Sequence, residues 1–144
     1  MRARLFAPLL LAWLLAPVVS HAEEKAPDRR PRRAVRFFEG TWEEAQALAK
    51  SEERILFVFW VAKADGIARK DVLGTNTLAV LADELNAECV NVWLVREENA
   101  ELARRLEVKE TPAATFVDVD GTRLELLQGS KNEDDLLAAL RRAL

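Results

Sequence analysis

Ile55–Val61 reads ILFVFWV, seven consecutive apolar residues rich in β-branched and aromatic side chains and bounded by charge. A strand with one wet face alternates apolar and polar residues. A run without alternation is buried on both faces, as in the middle of a parallel sheet, and so requires cover above and below. Cys89–Val95 (CVNVWLV) is a second strand of this kind. Two such runs in a chain of 144 residues constrain it to one α/β domain with these strands at its centre.

The segments around the two runs supply the helices. Thr41-Trp-Glu-Glu44 is a capping box, in which the threonine oxygen accepts from an early helix N–H and the glutamate reaches back. A helix follows through about Glu53, with Trp42, Ala45, Leu48 and Ala49 on its apolar face. Asn76 is expected to cap a helix reaching about Asn86 through Leu78, Leu81, Ala82 and Leu85. Asn99 is expected to cap a short one through Leu102, Ala103 and Leu106. Thr111-Pro112 breaks the pattern. Ala114–Val119 is a strand, Asp120-Gly121 a hairpin turn signal and Thr122–Leu127 the returning partner. Asn132 caps a last helix carrying Leu136, Leu137, Leu140 and Leu144. Val35–Phe38 reads as a short first strand. Strands alternating with helices imply parallel pairing, and the closing hairpin adds an antiparallel edge. The expected architecture is α/β: a mixed four- or five-stranded sheet with four helices on both faces.

Ahead of this domain, residues 1–22 have Arg2 and Arg4, an apolar run over Leu5–Ala16, Pro17, and the small residues Ser20 and Ala22 before Glu23. The run is short for a bilayer span, and the pattern is that of a secretory signal peptide. Residues 23–36 hold six basic and three acidic residues with two prolines, the composition of a solvated linker. The domain is 37–144, the expected location is periplasmic or secreted, and no stable membrane span is expected after signal cleavage.

Composition excludes several chemistries. Cys89 is the one cysteine, so this chain has no dithiol site and no internal disulfide. His21 is the one histidine, and signal cleavage removes it. That leaves no Ser–His or Cys–His catalysis and too few ligands for a Cys/His zinc site, and no loop has EF-hand spacing. No metal and no cofactor are expected. Residues 37–144 carry 13 basic and 21 acidic residues, a net charge of −8, opposite to a nucleic-acid-binding domain.

In order and spacing, the domain resembles the thioredoxin-like family over about 37–144. Thr41–Lys50 followed by Ile55–Trp60 is similar to the family's first helix and central strand, which ends in a Phe-Trp pair before the active-site loop. Asn99–Val108 (NAELARRLEV) resembles the helix leading to the family's cis-proline, Glu110-Thr-Pro112 the cis-proline loop, and Phe116–Gly121 with Gly129 the closing hairpin. The resemblance implies a thioredoxin-like fold and departs from it at the chemistry. Ala64 and Ile67 stand where the two cysteines of Cys-x-x-Cys belong, Lys63 replaces the preceding tryptophan, and Val58 aligns with the buried proton-relay aspartate. Disulfide exchange proceeds by thiolate attack, which this loop cannot supply.

The resemblance therefore implies a vestigial active-site loop of Trp60, Lys63, Ala64, Asp65, Gly66 and Ile67, facing a peptide-binding cis-proline loop at Thr111 and Pro112. An extended peptide would pair with backbone near Thr111 and rest apolar side chains on Trp60 and Ile67. Glu97 and Glu98 sit at a sheet end before a helix, where they meet its dipole. Trp42, in a first helical turn, is either core or an exposed anchor. Cys89 reads as a small buried apolar residue with no basic neighbour in sequence. Three functions follow: a redox-inactive module that binds protein or extended peptide; a redox protein working through Cys89 alone or a partner's thiol; or a structural accessory domain held by its basic tether.

Overall fold

The computed structural model describes residues 34–65, 77–129 and 131–144. The expected signal peptide, nearly all of the expected linker, the expected Asn76 cap, Gly66 and Ile67 lie outside them.

Four strands form one sheet in the order β2-β1-β3-β4: β1 (Ile55–Val61), β2 (Cys89–Val95), β3 (Ala113–Val117) and β4 (Arg123–Gln128). β1 pairs parallel to β2 in an unbroken register from Ile55↔Cys89 to Val61↔Val95. β3 runs antiparallel to β1, and β4 antiparallel to β3. The two continuous apolar runs are thus adjacent parallel strands, as their composition predicts. Gly121, at φ +89, closes the hairpin, and Asp120 Oδ1 accepts from Thr122 N–H at 2.8 Å.

The pleat divides the core between two helical layers. Leu56, Val58 and Trp60 face one side with Val90, Val92, Ala113 and Val117, covered by α1 (Trp42–Ser51) and α4 (Ala100–Arg105) through Ala45, Ala49 and Ala103. Phe57, Phe59 and Val61 face the other with Cys89 and Phe116. There α2 (Thr77–Val80), α3 (Ala82–Glu88) and α5 (Glu133–Ala143) cover them through Leu78, Leu81, Leu85, Leu136 and Leu140. Val58 is fully buried and joins the core.

Caps explain four of the helix ends. The Thr41–Glu44 capping box has both of its hydrogen bonds, and Asn132 Oδ1 accepts from Asp135 N–H at 2.9 Å. α1 and α4 both end in a Schellman motif. Arg54 N–H reaches Ala49 O and Glu53 N–H reaches Lys50 O; Val108 N–H reaches Ala103 O and Glu107 N–H reaches Arg104 O. The left-handed residue is glutamate in each case, Glu53 at φ 52 and Glu107 at φ 60. Arg123 of β4 donates to Leu106 O and to Glu107 Oε2, which fastens the second motif to the sheet.

Four expectations are corrected. Val35–Phe38 makes a single parallel bridge, Phe37↔Asn91, and no strand, because side chains take the backbone groups a ladder would use. Asn86 Oδ1 accepts from Arg36 N–H, and Asn91 Nδ2 donates to Arg36 O. Asn99 is not a side-chain cap, since its Nδ2 turns back to Val95 O at 3.0 Å. The helix expected to Asn86 is broken at Leu81, where a tighter Leu81 N–H to Leu78 O turn puts both leucines in the core and separates α2 from α3. Trp42 is no exposed anchor: it packs half-buried against the α1–α4 layer. Among the described residues no helix is long and apolar enough to cross a membrane.

Candidate functional site

The carboxyl ends of β1 and β2 and the start of β3 come together at one end of the sheet. Trp60 is in register with Ala113, so the chain leaving β1 at Val61 runs beside the chain entering β3 through Thr111 and Pro112. The Thr111–Pro112 peptide bond is cis. The two loops that the sequence assigns to one site are therefore neighbours.

Each loop is held by polar contacts from an adjoining strand end. Lys63–Asp65 is a single 3-10 turn. Its Lys63 N–H donates to Glu97 Oε2 at 2.8 Å, and Lys63 Nζ lies 3.7 Å from Glu98 Oε1. Glu97 thus holds the loop backbone, and Glu98 adds an exposed ion pair to it. The Lys63 N–H bond holds the Glu97 carboxyl below its ordinary range. Across the site, Gln128 Oε1 accepts from both Lys109 and Glu110 N–H, at 2.6 and 3.2 Å, and Arg96 Nη1 donates to Lys109 O. Gln128 escapes a reading of motifs, because only the hairpin register brings the end of β4 beside Lys109.

Among the described residues, neither the N–H nor the C=O of Thr111 has a hydrogen-bond partner. Thr111 and Pro112 are half-buried, while Lys63 and Ala64 are exposed. Trp60 does not line this surface. It is 0% exposed, and its Nε1 donates to Thr115 Oγ1 at 3.0 Å. The pleat turns Trp60 into the α1–α4 layer, so a peptide in this groove cannot rest on it.

Cys89 lies at the other end of the sheet. It opens β2 opposite Ile55, six residues before Val61, or about 20 Å from the Lys63 loop at the strand rise. It is 0% exposed. Burial pushes its thiol up to about 12, opposed by the Arg54 guanidinium and reinforced by Glu88. Arg54 donates to Cys89 O and to Asn86 O, so the cysteine has a basic neighbour in space that it lacks in sequence. Among the described residues no cluster of potential ligands could hold a metal ion.

No family model matches the sequence, and no curated protein is similar to it. Solved structures do match the fold. A thioredoxin from Thermus thermophilus is 27% identical with a TM-score of 0.60, over 76% of this chain and 86% of that one. A putative disulphide-isomerase from Bacteroides thetaiotaomicron is 24% identical with a TM-score of 0.63, over 79% of this chain and 96% of that one. A DsbH oxidoreductase is 16% identical with a TM-score of 0.60, over 83% of this chain and 92% of that one.

Proposed function

We propose that this chain, whose fold is thioredoxin-like and whose sequence has no Cys-x-x-Cys, is an exported, redox-inactive module that binds an extended segment of a partner protein. The observation that carries the reading is the Thr111 backbone, unpaired among the described residues and held at the carboxyl end of the central strands beside the exposed Lys63–Ala64 turn. Open α/β sheets take ligands at such ends, and a free backbone edge accepts an extended chain by strand-like pairing. Ala64 and Ile67 stand in the sequence where the resemblance puts the two cysteines, which fits a binding role kept after loss of the chemistry.

A redox role through Cys89 is the other reading of a single-cysteine chain, and the position of the thiol weighs against it. A thiol with a pKa near 12 has almost no thiolate at neutral pH. It also lies buried at the end of the sheet away from the groove.

The test is a pull-down from envelope extract with three proteins, each checked for folding: wild type, Lys63→Glu, and a form lacking residues 23–33. Lys63→Glu sets a third carboxylate beside Glu97 and Glu98 and should lose the partner. The truncated form should keep it. A partner kept by Lys63→Glu and lost on truncation would place binding on the arginine-rich tether.

A further inference from the structure

A second cleft, of about 670 Å³, adjoins the same loop and is lined by Arg96, Glu97, Arg104, Glu107, Val108 and Lys109 among others. Its two carboxylates are already committed. Glu97 Oε2 holds Lys63 N–H at 2.8 Å, and Glu107 Oε2 holds Arg123 Nη1 at 2.6 Å. Two of its cations are not: among the described residues the Arg104 and Lys109 side chains have no partner, whereas Arg96 puts one guanidinium nitrogen on Lys109 O and its charge acts on Glu97. The result is a local excess of available positive charge on a domain of net charge −8. Elsewhere that field repels an acidic chain, so this position discriminates.

Resting on the peptide-binding reading, we infer that this cleft reads a carboxylate side chain on the bound segment, making the partner an acidic extended peptide. Lys109 lies two residues before Thr111. Side chains on one face of a strand repeat about every 7 Å. A peptide paired at Thr111 therefore brings a side chain two positions along over Lys109 and the cleft, where Arg104 offers its planar donor fork.

The test is an NMR titration of the isotope-labelled full-length protein with two end-blocked extended peptides, one with a glutamate pair and one with glutamines in its place. The glutamate peptide should bind about fivefold tighter at low salt, the size expected for two exposed ion pairs. It should shift the amides of Arg96, Arg104 and Lys109 as well as Lys63 and Thr111. Arg104→Gln with Lys109→Gln, both exposed positions, should remove the preference and leave the Thr111 shifts. Equal binding of the two peptides with shifts at Lys63 and Thr111 alone would overturn the cleft and leave the groove standing. A preference that survives the double variant would also overturn the cleft. No shift at either place with either peptide would overturn the groove and the cleft together.

Discussion

The indole Nε1 of Trp60 donates to Thr115 Oγ1 at 3.0 Å, and both side chains are fully buried. Across the ladder Trp60 faces Ala113, and Thr115 faces Val58. The bond is therefore a diagonal contact, within reach because alanine leaves room for the ring to lie across β3. It satisfies two polar groups in the centre of an apolar layer. Trp60→Phe leaves the Thr115 hydroxyl unpaired, and Thr115→Val leaves the indole unpaired. Each should cost about 1–3 kcal/mol, and the double variant should cost about 1 kcal/mol less than their sum. Strict additivity in urea unfolding would mean that the bond does not couple the two strands.

Glu53 carries left-handed strain at the end of α1 with an exposed side chain. Glu53→Gly should raise stability by about 0.5–1 kcal/mol, because glycine takes that conformation freely. Glu107→Gly should gain less, since it also removes the Arg123 ion pair. Urea midpoints rank the two, and an equal gain at both would mean that the Arg123 contact contributes nothing.

Much of this was legible in the sequence, for local reasons. Ile55–Val61 and Cys89–Val95 declare their burial by composition. Thr41–Glu44, Asn132 and Asp120–Gly121 act over two or three residues. What was not legible depends on packing between distant segments. Asn86 and Asn91 intercept the Arg36 backbone from about 50 residues away and prevent a fifth strand. Trp60 turns into the core because the pleat assigns it there, although its place next to the loop in sequence predicts exposure. Glu97, Gln128 and Arg54 have partners 18 to 35 residues distant, which no spacing rule selects.

Acid should lower the stability of the fold. Lys63 N–H lowers the Glu97 carboxyl, Thr122 N–H lowers Asp120, and Arg142 lowers Glu125. A lowered folded-state pKa contributes stability that is fully present above the ordinary value, 4.5 for the glutamates, and is lost as pH falls through the folded-state value. The urea midpoint should therefore fall as the solution is acidified below those ordinary values. Glu97→Gln should flatten part of that drop, and an unchanged acid slope would mean that its hydrogen bond to Lys63 does not form.

Alkali acts through Cys89. Its raised pKa contributes stability that is complete below the ordinary value of 9.0 and is lost as pH rises towards about 12. Cys89→Ala lowers stability at neutral pH through lost packing, and it should unfold less steeply between those values than wild type. Parallel pH profiles for the two proteins would mean that the thiol is solvated.

Catalysis of disulfide reduction tests the account most directly. With insulin as substrate and dithiothreitol as electron donor, the protein should leave the rate at that of dithiothreitol alone. A protein-dependent acceleration that disappears in Cys89→Ala would contradict the account and make this chain a single-cysteine redox protein.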